Sequence, residues 1–294
     1  MKRLAFVTGC AASALPLRAS AESPQALRDA IAAAAAQSSG DVAVYARSMD
    51  GSPPLVTFHD HDVYPAASVI KLLIMVVAFR YAEHQDPGLF NRELALRADD
   101  MVGGSEFLAW SQPGERFTVG QLVHAMITVS DNTAANTLIT RFGFDLINQT
   151  AHRVGLQRTQ LRRHFLDSFA IVRHIQNLTT ARDMGMLLYQ IERGAREGIT
   201  TVATPLSCRR MIGILLQQED REKIAQGLPP GVPLANKTGE ITGVRNDVGI
   251  VDPYGDIPYI LAILTKDLDD YSDGVDAIIS ITRDVHHAMT TGKG

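Results

Sequence analysis

The chain has few cysteines: only Cys10 and Cys208 among its 294 residues. Loss of the N-terminal segment described below would leave Cys208 alone, so the processed chain could form no internal disulfide. No apolar run reaches the ~18 residues of a membrane-spanning helix. Neither charge is in large excess, and a formal net charge of −4 gives no reason to expect nucleic acid as a partner. The remaining profile, 46% hydrophobic and 20% charged, is that of an ordinary globular protein.

The N-terminus has the features of a targeting segment. Residues 1–3 are a basic start, residues 4–17 are largely apolar, and residues 19–21 (Ala-Ser-Ala) fit an A-x-A cleavage site. The pattern predicts a signal peptide over residues 1–21 and an exported, periplasmic or extracellular protein. A second interpretation, that residues 7–10 form a lipobox with a lipid on Cys10, is less favoured because the apolar stretch before Cys10 is short.

Periodicity predicts a mixed fold. We expect α/β structure plus an all-α part: an antiparallel sheet flanked by helices and built from both chain ends, with an inserted helical domain and the active site in the cleft between them. The predicted α/β domain comprises residues 22–66 and 200–294, and the helical domain residues 67–199. Strands are expected at 41–48, 54–58, 234–238, 244–251 and 257–264, and helices at 24–37, within 68–154, and at 180–193, 205–218 and 274–290. Residues 157–178 are expected to form a long loop.

Ser68 and Lys71 begin a strongly apolar helix in which Lys71 is the only charge up to Phe79. One helical turn separates them, so both side chains share a face. A hydroxyl needs a base to become a nucleophile, and a desolvated lysine can act as that base. Taken alone, S-x-x-K is more often a helix cap followed by a lysine that extends to solvent.

Two further motifs favour the catalytic interpretation. Ser130-Asp131-Asn132 lies between two predicted helices, where Ser130 could relay a proton to a leaving nitrogen and Asn132 could bind a substrate amide. Lys237-Thr238-Gly239 ends a predicted edge strand, where Lys237 and Thr238 could bind a carboxylate and Gly239 would let a substrate backbone approach closely.

These motifs, in this order, resemble those of class A β-lactamases and the related penicillin-binding proteins, over about residues 24–290. The resemblance implies that Ser68 is acylated, with Lys71 as base and Ser130 as proton relay. It also implies substrate contacts from Asn132, Lys237 and Thr238. The backbone N–H groups of Ser68 and Glu240 would form the oxyanion hole. Arg245 is a weaker candidate for a second carboxylate anchor, because its spacing from Lys237 is shorter than usual in the family.

The chain departs from the family in the long loop. Class A enzymes carry a glutamate and an asparagine there that orient the hydrolytic water. Counting back from Thr179 without gaps places Phe165 and Phe169 at those positions, and neither can activate water. Deacylation is therefore expected to be slow unless another base substitutes. Asp167 is the first candidate, with ion pairing to a neighbouring arginine as its alternative role, and His164 and Glu240 follow.

Several functions remain compatible with these residues. The first is a serine hydrolase that opens β-lactams; the others are a peptidoglycan D,D-peptidase, a non-hydrolytic sensor that traps β-lactams, and an esterase. The substrate is expected to be a small β-lactam or a peptidoglycan peptide, the protein a monomer, and no cofactor or metal is expected. Residues 59–62 (His-Asp-His-Asp) resemble a metal motif but are interpreted as a polar loop. Trp110 is expected to anchor a loop in the core.

Overall fold

A computed structural model describes residues 24–104 and 106–291. The strands are Asp41–Ser48 (β1), Val56–Phe58 (β2), Tyr64–Pro65 (β3), Glu93–Ala95 (β4), Arg116–Thr118 (β5), Leu178–Thr179 (β6), Leu234–Ile241 (β7), Val244–Val251 (β8) and Tyr259–Lys266 (β9). The helices are Pro24–Ala36 (α1), Lys71–His84 (α2), Val119–Thr128 (α3), Asn132–Phe142 (α4), Phe144–Arg153 (α5), Ser168–Val172 (α6), Ala181–Glu197 (α7), Pro205–Leu215 (α8), Ile224–Gly227 (α9) and Tyr271–Thr291 (α10).

In the described residues, five strands form one antiparallel sheet in the order β2-β1-β9-β8-β7. The N-terminal hairpin thus pairs with the last strand, as in the register Val44↔Ile263. This confirms the prediction that both chain ends build one antiparallel sheet. Strand β7, which carries Lys237, is an edge strand, as the sequence indicates.

Both faces of the sheet are covered because successive strand residues point to opposite sides. On β1, Ala43 and Tyr45 belong to the large core that contains the middle helices, whereas Val42 and Val44 pack with the core formed by the two terminal helices α1 and α10. Burial on both faces explains why β1 and β9 are almost continuously apolar. Two cores therefore fix the sheet that positions the site.

The middle of the chain is helical, as predicted, and Cys208 is buried on α8. Helix α7 packs closely on the sheet, where a Cβ at Gly185 would overlap the ring of Tyr45. The proposed division at residues 67 and 199 remains a prediction. Among the described residues, no helix is both long and apolar enough to cross a bilayer. The predicted signal peptide and Cys10 lie outside the described residues.

The expectation for Trp110 is wrong. Its side chain is 92% exposed, in a turn between β4 and β5. Apolar character alone does not bury a residue in a surface loop, because the path of the loop decides which side chains face the core.

Candidate active site

Ser68 lies in a sharp turn that leads into α2. A single 3₁₀ turn, Ala67–Ile70, precedes the α-helix, which itself begins only at Lys71. Ala67 has φ +45°, in the left-handed region that a residue with a Cβ rarely adopts. Such strain is retained where the surrounding structure holds it, frequently at functional sites. The turn places Ser68, partly exposed, in the wall of a cleft that all three motifs line.

Gly239 fits closely against this turn. A Cβ at position 239 would lie 2.9 Å from the backbone nitrogen of Ser68 and 3.0 Å from that of Val69. Any other residue would push β7 away from the serine. The close approach predicted for this glycine is therefore made by the protein's own backbone, which brings the K-T-G motif beside the S-x-x-K motif.

The Lys71 side chain is fully buried and joins two of the three motifs. Its Nζ donates to the backbone oxygen of Ser130 at 2.6 Å, to Oδ1 of Asn132 at 2.8 Å and to Oγ of Ser130 at 3.2 Å. The amine is thus buried and in contact with the second serine, whereas its contact with the hydroxyl of Ser68 stays a prediction.

Burial also changes the protonation of the two motif lysines. Desolvation, followed by the nearby charge of Lys237, holds the pKa of Lys71 well below its ordinary value, although Asp131 acts in the opposite direction. Desolvation likewise lowers the pKa of Lys237 to about 7, assisted by the charge of Lys223. A lysine with a lowered pKa has a larger neutral fraction, which a base requires.

The S-D-N motif is held by its middle residue. Asp131 is fully buried, and its carboxylate accepts hydrogen bonds from the backbone nitrogens of Ala134 at 2.8 Å and Leu108 at 3.0 Å. It therefore caps α4 and fixes the adjacent loop. Ser130 adopts φ +57°, a second left-handed residue in the site.

Phe165 lies over the amine of Lys71. The Nζ of Lys71 is 4.3 Å from the centre of the Phe165 ring, and the ring is almost completely buried. Asn136 fixes the backbone of Phe165 from both sides: its Oδ1 accepts from the Phe165 nitrogen at 2.7 Å, and its Nδ2 donates to the Phe165 oxygen at 3.1 Å. Asn136 was missed by the sequence analysis, although it lies one turn after Asn132 on α4.

The other loop candidates have different contacts. The Asp167 carboxylate accepts from the backbone nitrogen of Ala170 at 3.0 Å and caps α6, and it does not line the cleft. The His164 ring lies 3.4 Å from the hydroxyl of Thr140 and packs edge-on against Phe144. No described contact connects either residue to Ser68, so a role as substitute base remains a prediction without structural support.

Arg245 is held by the β7–β8 hairpin. Its Nη1 donates to the carbonyl oxygens of Ile241 at 2.9 Å and Val244 at 2.6 Å, and its guanidinium lies 3.7 Å from the ring centre of Tyr271. It is not among the residues that line the cleft. These contacts favour a structural role over the predicted carboxylate anchor.

Lys223 is a further buried lysine, which contacts Glu240 of β7 and was not identified from the sequence. The ammonium of Lys223 lies 2.7 Å from Oδ2 of Asp220 and 2.6 Å from Oε1 of Glu240. The only signal in the sequence was the spacing of Asp220 and Lys223, three residues apart in a charged run. Glu240, a candidate base, is therefore engaged in an ion pair.

These residues surround one cleft of about 490 Å³. Its walls come from all three motifs and from the segment before α9. The lining residues of the described chain are Ser68, Gly104, Glu106, Thr128, Val129, Ser130, Asn132, Gln218, Glu219, Asp220, Thr238, Gly239 and Glu240. Lys71 lies beneath this surface, in contact with Ser130 and Asn132.

The histidine-rich segment 59–62 takes part in surface contacts. His59 Nδ1 lies 3.3 Å from Asp62, and Asp60 pairs with Arg182 at 2.7 Å. Within the described ranges, no group of three or more metal-ligating side chains is found.

A family model described as the β-lactamase enzyme family matches residues 26–289. The chain belongs to this family. It is similar to a β-lactamase of Streptomyces lavendulae, with 26% identity over 276 residues that cover 89% of this chain and 87% of the relative.

Solved structures of β-lactamase-like proteins share the fold. A β-lactamase from Sphaerobacter thermophilus is 28% identical, with a TM-score of 0.79 and coverage of 92% of this chain and 98% of that one. A point mutant of PBP-A, solved as an acyl-enzyme complex with penicillin G, is 26% identical, with a TM-score of 0.80 and coverage of 90% and 96%. Both the class A β-lactamase-like fold and the resemblance stated from the motifs are thereby confirmed.

Proposed function

We propose that this protein is a serine hydrolase that opens β-lactam amides through an acyl-enzyme on Ser68 and releases the product slowly. The observation that carries the proposal is the buried amine of Lys71, which contacts Ser130 and Asn132 on one side and the ring of Phe165 on the other. The first set of contacts serves acylation. The second affects deacylation.

In the acylation step, the Ser68 hydroxyl attacks the lactam carbonyl and its proton passes to the neutral amine of Lys71. The negative charge that develops on the carbonyl oxygen is stabilised by the backbone N–H groups of Ser68 and Glu240. Ser130, in contact with Lys71, passes the proton on to the lactam nitrogen, and the C–N bond breaks. The lowered pKa of Lys71 supports its role as base.

Hydrolysis of the ester then needs an activated water. The Phe165 ring occupies the space beside Lys71 where, by the family resemblance, a glutamate would orient that water. A hydrocarbon ring accepts no proton, so it cannot act as a general base. The loss of a positioned base slows a step by ~10² to 10⁴-fold. The adduct is therefore expected to persist.

The proposal includes the setting in which the protein acts. We propose that it is exported as a monomer, and that its natural substrate is a β-lactam or a peptidoglycan peptide. Two other functions, a D,D-peptidase and a non-hydrolytic β-lactam trap, stay candidates because of the Phe165 ring. The ring predicts a long-lived β-lactam adduct, which is compatible with both functions. The similar PBP-A mutant, solved as an acyl-enzyme complex with penicillin G, supports covalent capture as the first step.

Intact-mass measurement tests the proposal. Wild-type protein mixed with penicillin G should gain the mass of one penicillin, located on Ser68 by peptide mapping. The Ser68→Ala variant should gain none. An unmodified wild-type protein at millimolar penicillin would refute the acyl-enzyme. Release of D-alanine from an acyl-D-Ala-D-Ala peptide, with no decay of the penicillin adduct, would identify the peptidase instead.

A further inference from the structure

The ammonium of Lys223 is shared between two carboxylates. It is fully buried, at 2.7 Å from Asp220 and 2.6 Å from Glu240. Burial alone would lower the pKa of Lys223, but the hydrogen bonds to both carboxylates raise it above its ordinary value, so the lysine stays charged. One positive and two negative charges leave this group with a net charge of −1.

Glu240 is the more accessible of the two carboxylates. Its side chain is 39% exposed, against 28% for Asp220. On β7, residues 238 and 240 lie on the same face, since side chains alternate along a strand. Both Thr238 and Glu240 line the cleft. The Glu240 carboxylate therefore lies beside the hydroxyl expected to contact a substrate carboxylate.

Few free positive charges oppose these carboxylates in the described part of the cleft. Glu106 and Glu219 also line it. The pKa of Lys237 is lowered to about 7, so near neutral pH this lysine is only partly protonated. An anionic group of a substrate that enters this end meets like charge, which costs free energy in a site partly shielded from water.

We infer that Glu240 is a specificity-determining residue: it pairs with Lys223 as an internal carboxylate, and the cleft therefore favours acyl substrates that are uncharged at this end over those that carry a carboxylate there. The inference rests on the proposed function, because it concerns which compounds acylate Ser68. Glu240 acts by occupying the lysine and by repelling a second carboxylate. Its side chain takes no part in bond making or breaking.

A matched pair of substrates tests the inference: penicillin G and its methyl ester, which differ in one negative charge. The rate of acylation of Ser68 by each is followed by intact mass. In the Glu240→Gln variant, the rate with the acid should rise about tenfold relative to wild type, since the like charge is removed and Lys223 becomes available. The rate with the ester should change less than about threefold. The amide of Gln could keep Lys223 bound. Glu240→Ala is therefore the second variant, and the rate with the acid should rise in it as well.

Glu219→Gln is the control, because it removes the same charge from the cleft at a residue that forms no ion pair with Lys223 in the described chain. Its ratio of acid to ester rates should rise much less than in Glu240→Gln, because it removes one negative charge from the cleft without releasing Lys223. An equal rise in Glu219→Gln, or an unchanged ratio in both Glu240 variants, would overturn the inference while leaving the acyl-enzyme intact. Failure of both compounds to acylate wild-type Ser68 would overturn the proposed function and the inference together.

Discussion

Replacement of Phe165 by glutamate should convert a slow deacylation into a fast one. The ring centre of Phe165 lies 4.3 Å from the Lys71 Nζ, and Asn136 holds the backbone of residue 165 at both its N–H and its carbonyl group. A glutamate at this position starts from the same fixed backbone, and its carboxylate reaches the space that the ring now fills. It would therefore lie beside the amine and near the ester carbonyl.

The magnitude follows from what the two side chains offer. A general base typically contributes ~10² to 10⁴ in rate, about 3 to 5 kcal/mol of barrier. Lys71 is neutral when it acts as the base, so the contact that is lost is mainly van der Waals packing of the amine against the ring. The two hydrogen bonds from Asn136 to the backbone of residue 165 remain in the variant. We therefore expect the variant to fold and to deacylate at least about 100-fold faster.

The assay is the decay of the penicillin adduct after removal of free drug, followed by intact mass. Phe169→Glu is the matched control, since it makes the same substitution in the same loop at a side chain that is 64% exposed and stacked on Arg173. Its adduct should decay like that of wild type. If Phe165→Glu is folded and acylated but its adduct persists as long as the wild-type adduct, the position assigned to Phe165 is wrong.

Two further predictions concern stability. Asn136→Ala removes both hydrogen bonds to the buried backbone of Phe165, so the free energy of unfolding should fall by about 2 to 5 kcal/mol in urea denaturation. The lifetime of the penicillin adduct should change as well. The control is Asn148→Ala, which removes the same pair of bonds to the backbone of Leu161 and should lower stability without changing the adduct lifetime. Glu192 is buried without a hydrogen-bond partner among the described residues, and desolvation raises its pKa to about 7. The folded state then binds more protons than the unfolded state between pH 4.5 and 7, so the free energy of unfolding should fall as pH rises through this window, by at most about 3 kcal/mol. The Glu192→Gln variant, measured over the same pH range, should lack this loss. An identical pH dependence in the variant would show that Glu192 is not the titrating group.

The sequence predicted the elements that have a strong period or strong end signals. The apolar residues of β1 and β9 and the turns between the strands indicated the sheet. The three motifs lie together because Gly239 packs against the turn of Ser68 and Lys71 contacts Ser130 and Asn132. The helix boundaries differed by a few residues: the segment after Ser68 begins as a 3₁₀ turn, for example. Such an end depends on how the turn packs against Gly239, which no local pattern contains.

The misses have a different cause, since they depend on contacts between distant segments. Lys223 stands in a run of charges, Glu219 to Lys223, that is typical of a solvated surface. It is buried because β7 and its Glu240 lie across it. The carboxylate-anchor role of Arg245, which came from a resemblance, stays a prediction; what local sequence did not show is that the hairpin brings its guanidinium to the carbonyl groups of Ile241 and Val244. Local sequence does not determine either outcome.

Several features of the site lower the stability of the folded protein, and burial in the two hydrophobic cores offsets that cost. The pKa of Lys237 falls from an ordinary 10.5 to about 7, which means that its protonated form is destabilised by about 5 kcal/mol in the folded protein. The left-handed conformations of Ala67 and Ser130 cost about 1 to 3 kcal/mol each. A domain with a net stability of about 5 to 15 kcal/mol can carry such costs only where burial elsewhere is extensive, as it is on both faces of the five-stranded sheet. A buried amine with a lowered pKa, beside turns in strained conformations, is therefore a feature that the packing of the whole sheet maintains.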